Sequence, residues 1–227
     1  MVKLSKDEII TRVRLFLDES GVNEGEFLAT AEIASDESDE SELDAMIEAR
    51  VLEAIRYVHG NADILLLSDA PIYDIEIEAE YADIGQTVGQ YKLPADCLRV
   101  CQVYYESWPR RIIDEEIIHS GEAGYSMLSD KYATGTRERP KVGQDGDDEL
   151  FLYSKGDGDD KGHVKYLLFP TWEASDNGGG EIVEVCRKVV DAFFYYLAGL
   201  TCMTLGDERQ GGFFQQAAEL MGKEIKA

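Results

Sequence analysis

The stretch from Glu181 to Met221 decides what the rest of the chain can fold into. Ile182, Val183, Val185, Val189, Val190, Phe193, Phe194, Leu197, Leu200 and Met203 recur at spacings of three and four. That period predicts one α-helix with a wide apolar stripe, which has to be covered by other elements. Gly206 suits the left-handed backbone of a helix C-cap, and Asp207 then serves as N-cap of a second helix. The second helix carries Phe213, Phe214, Ala217, Ala218 and Met221. So short a turn makes the two helices antiparallel neighbours, an αα-hairpin.

The 227 residues suffice for a sizeable core and are expected to form one domain with an excursion. The N-terminus alternates charged and apolar residues, and no run of about 18 apolar residues occurs, which places the chain in a cytoplasm without a membrane span. Cys97, Cys101, Cys186 and Cys202 lack the paired spacing of a zinc site and sit mostly in apolar runs, so they are expected as free, buried thiols.

Charge narrows the choice of partners. Asp and Glu number 46 against 22 Lys and Arg, a formal net charge of -24. Such a surface repels phosphate, which argues against a direct grip on nucleic acid. It also suits a channel through which DNA slides, because each phosphate contact avoided is one counterion-release contribution that cannot hold the DNA back. High negative charge serves plain solubility as well.

Before this hairpin the chain changes character twice. Ser5 and Glu8 have capping-box spacing, and Ile9, Val13, Phe16 and Leu17 mark a first helix ending near Gly21. The acidic run from Ser35 to Glu42 reads as a solvated loop feeding charge into the next helix N-terminus, and it lacks the Gly and the bidentate Glu of a calcium loop. Leu43, Ile47, Val51, Ala54, Ile55 and Val58 define the second helix, closed by Gly60, with His59 as a cation favoured by the C-terminal dipole.

Beyond Pro71 the period becomes two. Tyr73, Ile75, Ile77, Ala79 and Tyr81 alternate with Asp74, Glu76, Glu78 and Glu80, which predicts a strand with one face a row of carboxylates. Those four acids read as a solvated strand face and are the candidate DNA-repelling or partner-facing surface. Leu93-Pro94-Ala95-Asp96 is an extended entry and turn before the strand Val100 to Tyr105, which Trp108-Pro109 ends. Arg110 and Arg111 beside Trp108 are candidates for a subunit contact, since Arg next to an aromatic suits an interface anchor. Ile112 to Leu128 reads as a short helix and a Gly- and Ser-rich stretch. Its Glu115, Glu116, His119 and Glu122 lack HExxH geometry and are not assigned to a metal. Strands around Leu150 to Tyr153 and Val164 to Leu168 are expected to form a β-hairpin through Ser154 to Gly162. Asp157 and Asp159 match only the start of a calcium loop. Asn177-Gly178-Gly179-Gly180 reads as a linker, with no phosphate-loop pattern.

The fold expected is therefore α+β: an antiparallel helical bundle of two N-terminal and two C-terminal helices, residues 1–70 and 178–227, with an inserted antiparallel β-sandwich or barrel-like domain, residues 71–177. This order resembles the head-to-tail adaptor, or connector, proteins of tailed bacteriophages, including the tail tubular or gatekeeper type. The resemblance lies in Tyr91 to Tyr105 with its Leu-Pro-x-Asp entry, in His163 to Pro170 with its strand closing in Pro, and in the aromatic helix Val183 to Leu205 with its Gly-Asp break before Asp207 to Met221. The acidic loop and the length between Glu106 and Val142 depart from compact members. The resemblance implies a non-enzymatic virion protein of the neck, present in the host cytoplasm during assembly. It implies a ring, expected to be twelvefold, between the portal and the next tail or neck ring, through which DNA passes without specific binding. It implies no cofactor. A closed ring also accounts for broad apolar helical faces without an active site. Two alternatives stay open: an enzyme with a carboxylate-based site drawing on Asp74 to Glu80 and His119, and a cytoplasmic interaction module.

Overall fold

In the computed structural model the described residues are 1–19, 37–77, 79–83, 86–129, 135–146, 148–153, 161–175 and 180–223. They form two compact units, Met1–Asp69 with Pro170–Ala227, and Ala70–Phe169. The architecture is α+β, with four α-helices and three sheets among the described residues. The strands are β1 Val2–Ser5, β2 Ile72–Asp74, β3 Ala79–Asp83, β4 Gln86–Lys92, β5 Cys97–Tyr105, β6 Ile112–Ile113, β7 Ile118–His119, β8 Lys141–Asp145, β9 Glu149–Tyr153, β10 Gly162–Leu168, β11 Glu173–Ala174 and β12 Glu181–Val185. The helices are α1 Lys6–Glu19, α2 Glu37–Asn61, α3 Val190–Leu205 and α4 Gln210–Leu220.

The first unit is organised by α3. Ala192, Phe193, Phe194, Leu197, Ala198, Leu200, Thr201 and Cys202 are all buried, and α1, α2 and α4 each pack on the helix. The segment Arg187–Leu205 is long and apolar enough to cross a membrane, yet more than half of it is buried inside the protein. Ile9, Val13 and Leu17 of α1 and Ile47, Val51, Ala54, Ile55 and Val58 of α2 supply the cover. Each large apolar side chain so enclosed contributes roughly 1.5–3 kcal/mol of hydrophobic stabilisation. Phe16 meets Tyr195 edge-on at 4.7 Å, and Tyr57 stacks on Tyr196 at 4.1 Å.

Gly206 ends α3 at φ 74, the left-handed geometry expected of it, and the Asp207 N–H reaches Cys202 O at 2.8 Å. Asp207, however, does not stand directly before α4, which begins at Gln210. Its carboxylate accepts from the Arg209 N–H at 2.9 Å and holds the Arg209 guanidinium at 2.6 Å. Arg209 Nη1 in turn donates to Leu17 O at 3.1 Å. The turn thereby caps the end of α1, a tie between residues far apart in sequence.

Four sequence expectations change here. The apolar stripe does not begin as helix: Glu181–Val185 is β12, paired antiparallel with β1 so that Val185 faces Val2 and Val183 faces Leu4. Ile-Val-Glu-Val is β-branched at three of four positions and alternates in burial, which favours a strand once a partner is present. The acidic run is already helical from Glu37; its part before that residue lies outside the described residues. Ile112 to Leu128 holds the short strands β6 and β7 and two 3-10 turns in place of a helix. Finally β9 and β10 are not a hairpin, because β9 pairs with β4 and β8 while β10 pairs with β2 and β5. Their connection carries the chain from one sheet to another; its residues 154–160, like 176–179 of the glycine linker, lie outside the described residues.

The second unit holds a four-stranded sheet, β2-β10-β5-β6, and a five-stranded sheet, β3-β4-β9-β8-β7. All pairings are antiparallel except β7 with β8. The Pro94 entry behaves as expected, with a turn at Ala95-Asp96 closed by the Cys97 N–H on Pro94 O at 2.9 Å. One core cluster draws on both sheets, with Tyr91, Leu93, Leu150 and Leu152 from one and Val103, Tyr105, Val164 and Tyr166 from the other. Trp108 joins it, 6% exposed, with its ring 5.2 Å from Tyr105.

His59 is not the cation expected at the α2 terminus. It is 2% exposed, and its Nε2 accepts the Cys186 N–H at 3.1 Å, which ties the end of α2 to the joint between β12 and α3. Burial pushes its pKa down to about 4, against the opposing pull of Asp69. Because the folded form holds the proton less tightly than the unfolded chain, the contribution is complete above about pH 6.5 and is lost as pH falls towards 4. The loss amounts to about 3 kcal/mol. His59→Gln keeps an acceptor but does not titrate, so between pH 6.5 and 5 its unfolding free energy should fall less steeply than that of the wild type in urea titrations; parallel curves would remove His59 from the explanation. A second test concerns the α3-α4 contact, where a Cβ at Gly199 would lie 2.7 Å from the Phe214 ring. Gly199→Val should lower stability by about 1–3 kcal/mol, read as a lower urea midpoint, and an unchanged midpoint would contradict this packing.

Candidate functional site

The expected row of four carboxylates is broken by the backbone. Asp74 ends β2 in the four-stranded sheet, residues 75–77 are not strand, and β3 resumes in the five-stranded sheet. Asp74 and Glu76 are exposed, Glu78 lies outside the described residues, and only the backbone of Glu80 is described. The four acids therefore do not project side by side from one strand. Ile75 explains the departure: its N–H bonds Gly162 O at 2.8 Å and its side chain packs against the core.

Asp74 instead lies beside an imidazole that the sequence pattern did not single out, close to it but without a hydrogen bond to its Nδ1. Its Oδ1 lies 2.9 Å from Nδ1 of His163, whose Nε2 lies 3.8 Å from Oε1 of Glu106. The cross-strand register places His163 between Asp74 on β2 and Tyr104 on β5, and the Tyr104 ring sits 5.0 Å from the imidazole. On the other side the Arg111 guanidinium lies over the Tyr104 ring at 4.7 Å and donates to Gln102 Oε1 at 3.3 Å. The result is a continuous ladder across the sheet, from Arg111 through Tyr104 and His163 to the two carboxylates. The signal available in sequence was the alternation Lys161, His163, Lys165 against Gly162, Val164, Tyr166.

Of the three candidate contact residues, Trp108 is a core side chain and is not available to a partner. Arg110 and Arg111 are exposed. Arg110 pairs with Glu116, whereas the contacts of Arg111 described above are aromatic and amide. Arg99, on the same sheet, is held by Asp114 at 2.7 Å. His119 and Glu122 meet only locally, the His119 N–H reaching Glu122 Oε2 at 3.3 Å. Among the described residues no three His, Cys, Asp or Glu side chains converge as metal ligands would.

Among the described residues the first unit has an open cavity of about 300 Å³ against Tyr57, Tyr196, Phe214, Ala218 and Met221 and another of about 410 Å³ against Ala45, Glu48, Ala49, Leu52 and Trp172. Beside the second, Lys6 Nζ sits 2.5 Å from both Glu48 and Glu181 and 5.0 Å from the centre of the Trp172 ring. Asp207 is held below the usual carboxylate range by the Arg209 side chain. No protein-family model matches the chain, and no curated protein matches it.

The thiols yield a direct check on this geometry. All four cysteines are free. Burial pushes Cys97 and Cys202 up to about 11 and Cys101 up to about 12, so at pH 8 the thiolate fraction of each is at most roughly 10⁻³. Reaction with Ellman's reagent at pH 8 should be slow in the native protein and complete for all four thiols in denaturant. Because Cys97 is only half-buried, a fast native phase of more than one thiol is what would contradict the burial of Cys101, Cys186 and Cys202.

Proposed function

We propose that the protein is a structural virion component, a head-to-tail adaptor whose copies close into a ring, expected to be twelvefold, between a portal and the next ring of the neck or tail. The observation that carries this reading is the arrangement of elements. A β-rich unit, Ala70–Phe169, is inserted between helices, and the chain finishes in an aromatic helix, a left-handed stop at Gly206 and a return helix. This is the layout that gave the resemblance to connector proteins.

In finer terms the first unit is read as an antiparallel bundle of α1 to α4. The second is read as a sandwich of two sheets, because one core cluster draws on both. Charge supports the same reading. A net charge of -24 per copy is multiplied by the copies in a ring, and an acidic lumen lets DNA pass without binding it. Glu76, Glu78 and Glu80 are candidates for such a surface, while Asp74 stands beside His163; Arg110 and Arg111 are candidates for a contact between copies. No cofactor and no catalytic group is part of this function; the protein acts in the virion neck and resides in the host cytoplasm during assembly.

The test is reconstitution with the portal of the same virus, imaged by electron microscopy. The reading predicts a ring of this protein stacked coaxially on the portal. Portals that stay bare with the adaptor in excess would overturn it.

A further inference from the structure

Rings of so acidic a chain pose an electrostatic problem, since identical copies at a net charge of -24 repel one another wherever acidic surfaces meet. A lateral contact has to be made by a patch that is not acidic. The outer face of the sheet β2-β10-β5-β6 is such a patch. On β10 the residues facing away from the core are His163 and Lys165, continued by Lys161 just before the strand, while Val164 and Tyr166 point inward and are buried. Register sets Lys165 between Ile72 and Gln102, and His163 between Asp74 and Tyr104. Arg111 lies over Tyr104.

Among the described residues this stretch holds three cations and an imidazole, Lys161, Lys165, Arg111 and His163, against two carboxylates, Asp74 and Glu106. At the chain's ratio of 46 acids to 22 bases, three cations would come with about six acids. At the β6 side, Arg99 and Arg110 stand beside Asp114, Glu115 and Glu116, so the face as a whole is near neutral where the chain at large is acidic. The face also carries apolar anchors: Ile72 is 53% exposed, and Tyr104 and Ile113 are half-buried. An aromatic and an arginine together beside an exposed aliphatic make an interface anchor of the usual composition.

We infer that this sheet face is the contact between neighbouring copies, seating the exposed Lys161 and Arg111 against carboxylates on the acidic surface of the next copy. The contact is heterologous, two different surfaces of the same chain, which is the kind that closes into a ring. The occupant is a second copy because the complementary surface, rich in Asp and Glu, is what this chain offers in excess. The inference rests on the ring reading.

The experiment compares wild type with Arg111→Glu and Lys161→Glu, each with and without the portal, by mass photometry over a range of protein and salt concentrations. Lys161 is exposed, so its variant tests the contact even if Arg111→Glu folds poorly. Arg50→Glu, on α2, makes the same charge change elsewhere. Both face variants should raise the protein concentration needed for ring formation by about tenfold or more, Arg50→Glu should not, and rising salt should weaken wild-type rings. Wild-type rings that persist unchanged in both face variants, or an equal loss in Arg50→Glu, would overturn the inference and leave the ring reading standing. Face variants that alter retention of duplex DNA but not assembly would overturn it in favour of a nucleic-acid surface. Wild-type protein that never associates, with or without portal, would overturn both.

Discussion

Helix α3 is enclosed on nearly every side, and the first unit follows from the need to keep it so. Phe193, Phe194, Leu197 and Ala198 are each fully buried, on a helix apolar enough to pass for a membrane span. Left uncovered, such a surface would drive aggregation. The stripes of α1 and α2 and the return of α4 are the cover. Polar ties hold that cover in register: Arg209 caps Leu17 O, His59 accepts from Cys186, and Lys6 joins α1 to Glu48 and Glu181. Each links residues far apart in sequence, so the unit assembles from both ends of the chain.

The surface poses the opposite problem. A chain with twice as many acids as bases keeps itself soluble and repels copies of itself, so any assembly depends on where the few cations are spent. Many are committed internally, as Arg12 to Asp191 and Arg14 to Asp44. The outer face of the β2-β10-β5-β6 sheet differs in gathering cations, an imidazole and aromatic surface at one place. In the proposed ring, that local neutrality and the acidity elsewhere are complementary halves of one contact.

What the sequence disclosed follows from how local its causes are. The faces of α1 and α2 and the C-cap at Gly206 are set by period and backbone preference within a few residues, and they are found as read. The turn at Pro94 is legible for the same reason. Errors arose where a distant partner decides. Ile182 to Val185 has spacing compatible with a helix and becomes a strand because Val2 to Ser5 lies beside it. His59 loses its expected charge because it is buried, its Nε2 taking a hydrogen bond from Cys186, 127 residues away. The strand from Tyr73 to Tyr81 divides because its two halves pair in different sheets, so the row of acids dissolves. For the site, Arg110 and Arg111 were visible as an unusual pair in an acidic chain. Their setting was not, since Tyr104, His163 and Lys165 come together only through the register of β10 with β5.

Native mass spectrometry of the assembled protein probes the central claim most directly, because a closed ring has one stoichiometry. The account predicts a single dominant species near twelve copies, formed alone or once the portal is supplied, with no ladder of open oligomers. Monomers alone under both conditions, or a continuous series of growing chains, would contradict it.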